Sequence, residues 1–583
     1  MPDACNFSSI ACVEFLYKRN RYLFMKHYLT YVEETIKKHW SKPAISNYGA
    51  NTYTYAQVAE QVYKLHILFD KYKIKEGEHI AICARNSAEW CIAFFAITSY
   101  GAVAVPLLPD FLPQNIADLT KLSDSRLLFV DKNILGGLTR DKVIGQFATF
   151  DKLDGILDVV TYDTIEDCGS GVKVLHDDIE TFFNTRYPDG ISVADFKLSA
   201  GDLDNVNVIS YTSGTSSSPK GVMLAAKSLS GNLEIARKLV PINEDEENNT
   251  LSILPLAHIF GLAFDFIFLF CSACHIHIFT ERPVPVRLLK ALSDVKPVIF
   301  LTVPLLVEKI FRSKVIPTLN KPVMKFLTAI PFVRQAIFKK VRSKILDVFG
   351  GNLGKFGFFI GGAAISRDVD SVMQKIKIPY AVGYGMTECG PLISYKGWAH
   401  PTMQNIGDIT SPTLDLRIDS DAPSRVPGEI QVRGDVVTTG YYKNEEATKA
   451  AFTSDGWLKT GDMGIRDRAG VVYIKGRCKN MILTGSGQNV YPEEIEDLIN
   501  QLPYVLESLV VGRKHSIVAL VVLNQDAVKA AGVTEADAQQ LVEKSVLALN
   551  DKLPSYSQLS RCELRNEPFE KTPKLSIKRF MYN

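Results

Sequence analysis

Apolar positions in the first third of the chain follow two periods in turn. Thr54 stands three residues before Gln57, the spacing of a capping box, and Tyr55, Val58, Val62, Leu65 and Phe69 then recur at steps of three and four, one face of an amphipathic helix. A short apolar run at 79–83 follows, then a helix through Trp90 to Tyr100 closed by Gly101, then a run at 103–106. Strand-length runs recur at 206–211, 251–254, 298–303 and 356–360, several ending in Gly- or Ser-rich loops. Strands alternating with helices predict an α/β fold, whose ligands sit at such loop ends.

The pattern changes after about Gly476. Shorter runs at 481–483, 506–511 and 518–522, with a helix opening at Pro492 and another around 536–549, predict a small α+β domain of about 100 residues. The expected division is therefore 1–476 and 477–583. The stretch 259–279 is the nearest thing to a membrane span, but Asp265, His275 and His277 interrupt it, so a buried helix followed by a strand is expected. The segment 307–350 carries ten basic and two acidic residues, a local balance of +8, interleaved with Phe311, Val323, Phe326, Leu327, Phe332 and Ile337. Two readings apply to it: helices packing an apolar side on the core with lysines in water, or a cationic amphipathic surface that meets anionic lipid.

Overall charge alters the picture by exclusion. Lys plus Arg, 66, nearly balances Asp plus Glu, 64, so no whole-molecule field exists to grip nucleic acid, and none is expected as a partner. The ten cysteines have no framework spacing, which reads as reduced thiols, and the first residues lack a cationic start leading into an apolar run. A cytoplasmic location is expected, with peripheral contact to the inner face of a membrane if 307–350 meets lipid. Cys271-Ser-Ala-Cys274-His275-Ile-His277 contains a haem-attachment pattern, but its apolar setting favours buried packing, and His275 and His277 are expected on opposite strand faces.

Four stretches carry chemistry. Tyr211-Thr212-Ser213-Gly214-Thr215 through Pro219-Lys220-Gly221 sets a hydroxyl- and glycine-rich loop after a strand and follows it with a lysine. Such a loop wraps phosphate, or another anion, with N–H and hydroxyl groups while Lys220 supplies charge; the order differs from a Walker A loop. Tyr384-Gly385-Met-Thr387-Glu388 offers a hydroxyl beside a carboxylate, and a Glu at a phosphate site makes sense chiefly as a ligand for a hard cation such as magnesium. Read alone it is also an ordinary turn. Asp462 can accept two ribose hydroxyls and Arg477 can lie beside sugar and phosphate; their plainer roles are a turn cap and a boundary surface charge.

Together these stretches resemble the adenylate-forming superfamily of acyl-CoA synthetases, nonribosomal adenylation domains and firefly luciferase, in the family's order from Tyr211 to Asn489. The resemblance implies a large N-terminal domain of mixed sheets layered with helices and a small mobile C-terminal lid. It implies that 212–220 holds the phosphates of ATP, that Gly361-Gly362-Ala363 lines the adenine pocket, and that Thr387 touches the α-phosphate. Glu388, with Thr212, would hold Mg²⁺, Asp462 and Arg477 would take the ribose, and Lys479 would be the hinge. His258, in Pro255-Leu-Ala-His258-Ile-Phe-Gly261, would gate the acyl site.

The segment 307–350 and the ending 569–580 resemble the long-chain branch, which implies a fatty acid as substrate and coenzyme A, or an acyl carrier protein, as acceptor. One position departs from the family. Its tail reads Thr-Pro-Thr-x-Lys-Ile/Val-Lys-Arg, with the lysine before Ile/Val serving adenylation, and Ser576 stands there. Lys574, two residues earlier, or Lys578, two later, would then replace it, or the chain is a non-catalytic fatty-acid or nucleotide-binding relative.

Overall fold

The computed structural model describes residues 25–131, 134, 152–212, 219–281, 283–396, 409–410, 413–484, 488–513, 516–571 and 577–582. The helix Tyr55–Lys71 forms as its periodicity requires, with Thr54 and Gln57 completing the reciprocal cap. It packs on the helix Ala88–Ser99, all of whose residues are buried, as an apolar surface on every side demands. Strands 79–83 and 103–106 join an eight-stranded sheet in the order Gly440–Tyr441, Lys220–Ala225, Val206–Thr212, Val103–Pro106, His79–Cys83, Ser125–Val130, Gly155–Asp158 and Thr164–Asp167. Its centre is parallel and its two edges antiparallel.

Two further sheets are layered with it. In one, Ile299–Thr302, Gly357–Ile360 and Tyr380–Gly385 run parallel and Leu392–Lys396 turns back against them. In the other, Asn249–Ser252, His275–Ile278 and Pro43–Asn47 run parallel. The apolar stretch after residue 259 is the predicted buried helix followed by a strand: a π-helical Gly261–Phe268, a turn of α-helix, then His275–Ile278. Its aromatic rings meet those of Ala88–Ser99, with Phe95 and Phe266 centroids 4.6 Å apart and Phe95 and Phe270 4.9 Å apart. Among the described residues no helix is long and apolar enough to cross a membrane.

His275 and His277 correct the expectation made for them. Residues two apart on a strand share a face, and their rings lie 4.0 Å apart on one side, His275 against Ser46 and His277 against Asn249. Cys271 and Cys274 are buried free thiols, and among the described residues no group of three or more His, Cys, Asp or Glu side chains gathers to hold a metal.

A four-stranded antiparallel sheet, Leu414–Asp419, Gly428–Gly434, Leu458–Arg466 and Val472–Arg477, leads to the C-terminal unit. There Val505–Arg513, Ser516–Leu523 and Leu559–Arg565 form a sheet with its own apolar cluster against Pro492–Ile499 and Glu535–Ala548. Arg312 donates to the Asn500 carbonyl at 3.3 Å, and Arg367 pairs with Asp497 at 3.0 Å, tying this unit to the larger one.

Because Phe266 is fully buried and ringed by Phe94, Phe95 and Phe270, Phe266→Ala leaves a cavity among these closely packed rings. The expected cost is about 3–5 kcal/mol, read as a lowered urea midpoint.

Candidate active site

Thr212 and Lys220 face one another as the last paired residues of the hairpin Val206–Thr212 and Lys220–Ala225, so the loop of Ser213, Gly214 and Thr215 starts and returns at one point on the sheet edge. Those three loop residues lie outside the described residues. The Lys220 ammonium sits 4.8 Å from the ring centroid of Tyr441, which belongs to the two-residue edge strand paired with Lys220–Ala225. The Tyr441 hydroxyl donates to Glu388 Oε1 at 2.9 Å. Lys220 and Glu388 therefore contact opposite parts of one side chain, and neither enters an ion pair among the described residues.

Glu388 reaches this point because Tyr380–Gly385 ends in the short turn Thr387–Cys389. Asn232, fully buried on the helix after Lys220–Ala225, clamps that turn by donating to the Cys389 carbonyl at 3.1 Å and accepting from Leu392 N at 2.9 Å. The Thr438 amide closes it by donating to the Glu388 carbonyl at 2.7 Å. Gly385 is required at its start, since a Cβ there would lie 2.0 Å from the Pro391 carbonyl oxygen.

A second cluster joins the five-stranded sheet to the antiparallel one. The Tyr384 hydroxyl donates to Asp462 Oδ2 at 2.7 Å, and Arg477, the cross-strand partner of Asp462, pairs with Oδ1 at 2.7 Å. Burial pushes the Asp462 carboxyl above its ordinary range, while the Arg477 guanidinium and the Tyr384 hydroxyl pull it back. Arg477 itself is exposed, with its remaining donors available at the surface.

The loop 255–261 and the glycine pair after Gly357–Ile360 touch directly. A Cβ on Gly361 would meet the Phe260 ring at 2.9 Å, so this glycine lets the aromatic ring of the loop 255–261 lie on the backbone; Gly362 has φ +88° and is exposed with Ala363. His258 is half-buried in the same loop, its amide donating to the Pro255 carbonyl at 3.0 Å. The loop hangs from Asp265, whose Oδ2 accepts from Ser252 Oγ and from the amides of Ile253 and Leu254.

Lys479 is exposed in the one-turn helix Cys478–Asn480, where it lines a crevice of about 330 Å³ with Arg579. That crevice belongs to the C-terminal unit and does not include Lys220 or Glu388. Lys578 pairs with Glu570 at 3.1 Å. Lys574 and Ser576 lie outside the described residues, between Lys571 and Ile577, which are bridged to each other.

This geometry brings together Thr212 with Lys220 and Glu388, and Tyr384 with Asp462 and Arg477. Tyr441, Asn232 and the anchoring use of Asp265 escaped the sequence reading. A two-residue strand has no period, a buried Asn on a helix has no motif, and Asp265 was legible only as a charge interrupting an apolar run.

Comparison with known proteins bears on the same residues. Positions 32–442 match the family model described as "AMP-binding enzyme", and 479–582 match "AMP-binding enzyme C-terminal domain". The chain belongs to the adenylate-forming AMP-binding enzymes. It is 27% identical over 501 residues to the long-chain-fatty-acid–CoA ligase FadD15 of Mycobacterium bovis, covering 81% of this chain and 78% of that one. To the 4-coumarate–CoA ligase of Vanilla planifolia it is 26% identical over 540 residues, covering 89% and 87%. ATP-bound MatB from Rhodopseudomonas palustris has the same fold, with a TM-score of 0.71 at 22% identity over 93% of this chain and 95% of that one. Acid–CoA ligation recurs among such relatives, while their acids differ.

Two predictions follow from the geometry of this AMP-binding enzyme. Gly385→Ala is expected to push Pro391, and the turn 386–391 with it, away from the end of Tyr380–Gly385, destabilising the protein by about 1–3 kcal/mol and removing hydrogen-exchange protection at 386–392. Asp265 concerns pH. Complete burial pushes its carboxyl from 3.8 up to about 7, so the protonated form is favoured by folding and its contribution is lost as pH rises through that interval. Wild type should lose up to about 4 kcal/mol between pH 4 and 7 that Asp265→Asn does not lose, measured as the difference in urea midpoints across pH.

Proposed function

We propose that the protein activates a medium- or long-chain fatty acid with ATP and passes the acyl group to coenzyme A. The observation that carries this reading is the pair Lys220 and Glu388, held against one tyrosine without neutralising each other at the foot of a hydroxyl-rich loop. An unpaired ammonium suits phosphate oxygens. One Glu388 oxygen is engaged by Tyr441, which leaves the other, with the hydroxyl of Thr212 across the hairpin from Lys220, as donors of the kind Mg²⁺ takes. Bound there, the ion would neutralise charge on the departing pyrophosphate.

In this reading the substrate carboxylate attacks the α-phosphorus of ATP, the bond to pyrophosphate breaks, and an acyl-adenylate forms. The coenzyme A thiolate then attacks the acyl carbonyl and AMP leaves. Thr387 and the tail lysine Lys574 orient the α-phosphate and carboxylate, Gly361, Gly362, Ala363 and Tyr384 face the base, and Asp462 and Arg477 hold the ribose. The packed rings of Phe260, Phe264 and Phe359, which continue from the loop that carries His258, support an aliphatic substrate. The lid begins at 477 and turns about Lys479, so that one site admits pyrophosphate chemistry and thiol chemistry in sequence.

Ser576 favours one alternative, a relative that binds acid and nucleotide without turnover. Fatty-acid-dependent exchange of labelled pyrophosphate into ATP separates the two, and no exchange at high enzyme leaves only binding. Lys574→Ala is expected to abolish exchange while thioester formation from supplied acyl-adenylate survives; unchanged exchange assigns the role elsewhere. Products weighed after palmitate, ATP and either coenzyme A or holo-carrier protein identify the acceptor.

A further inference from the structure

The basic segment divides into a part the core explains and a part it does not. In the helix Pro331–Val348 the far half is anchored, with Ile345 buried and Phe338, Val341 and Leu346 packed on the apolar cluster of the five-stranded sheet. The preceding helix, Pro322–Ala329, has no buried residue at all. It nevertheless carries Val323 and Phe326 one turn apart on one face, exposed to 68% and 72%, and Phe332 just beyond is exposed to 86%. Ile330 caps the end of one helix and the start of the next, so these side chains stand at a projecting corner.

Charge surrounds that corner with one sign. Positions 309–346 contain no Asp or Glu, and of the ten basic residues in 307–350 only Arg312 forms an ion pair among the described residues, with Asp368. Lys321, Lys325 and Arg334 flank the exposed aromatics and are themselves exposed. A protein core neither covers this apolar face nor balances its charge. A convex corner with apolar tips and an uncompensated cationic surround is complementary to a bilayer, whose interface takes the rings while its anionic headgroups take the lysines.

We propose that this corner docks the protein on an anionic lipid bilayer, with Val323, Phe326 and Phe332 entering the headgroup region. The fatty-acid reading supplies only a purpose for this contact, capture of an acid dissolved in the membrane. Binding itself is measured without acid, nucleotide or turnover, so failure of one reading is distinguishable from failure of the other.

The test is cosedimentation of the full chain with vesicles of phosphatidylcholine alone or with phosphatidylserine added. At low salt the anionic vesicles should bind at least ~10-fold more protein than the neutral ones, and raising NaCl to ~0.5 M should remove most of that excess. F326S/F332S should lower anionic-vesicle binding by ~10-fold, and K321Q/K325Q/R334Q should lower it comparably, each with unchanged melting temperature. Equal sedimentation with neutral and anionic vesicles overturns the proposal, as does binding that neither variant weakens. A wild-type dimer in solution that F326S/F332S converts to monomer overturns it in favour of a second copy on this face.

Discussion

A cation and an anion that share one neighbouring side chain are drawn to satisfy each other. At contact distance an ammonium and a carboxylate near a protein surface attract by several kcal/mol at an effective dielectric of about 20, so Lys220 and Glu388 would collapse into a salt bridge unless the fold prevented it. Tyr441 keeps both occupied without pairing them, presenting its ring to the ammonium and its hydroxyl to the carboxylate. The tyrosine is placed by a two-residue strand at the sheet edge, the carboxylate by a turn that Asn232 grips from the helix behind the hairpin. Three chain segments far apart in sequence thus converge on one point.

The same economy governs the other buried carboxylates. Asp462 is nearly inaccessible, yet its two oxygens are met by Tyr384 from one sheet and Arg477 from the next, so the seam between sheets is also where the polar group is satisfied. Asp265 holds the end of Asn249–Ser252 through three donors to one oxygen. It stands in a buried π-helical stretch whose other side chains are all apolar, three of them Phe, and in such surroundings an ionised carboxyl is costly, which is why its affinity for a proton rises. Apolar helices fill the space between sheets, and the few polar groups among them fix where strands end and loops begin.

Most elements were legible because periodicity and capping are local. Thr54 with Gln57, the alternation through 106, and the helix-then-strand reading of 259–279 needed no knowledge of the rest of the chain. What escaped was set by distant partners. Tyr441 has no pattern of its own, and Asn232 acts on residues about 160 positions away. The shared face of His275 and His277 is instead local, since side chains two apart on a strand point the same way. For 307–350 the core-packing reading holds at both ends, where Val307, Phe311 and Val315 and then Ile345 and Phe349 are buried, while the helix Pro322–Ala329 between them packs no residue on the core.

The small unit is held to the large one by contacts of a particular quality. Arg312 to the Asn500 carbonyl, Arg367 to Asp497 and Lys475 to Glu494 are polar and partly exposed, and pairs of this kind contribute about 0–1 kcal/mol each. Its own apolar cluster, built on Val510, Ala519 and Val521, is closed within the unit. A domain that keeps its core to itself and meets its neighbour through solvated charges can leave one position for another at small cost, since water replaces what is broken. Asp462 and Arg477 both precede Cys478–Asn480, and their pairing lies within the antiparallel sheet, on the N-terminal side of that turn.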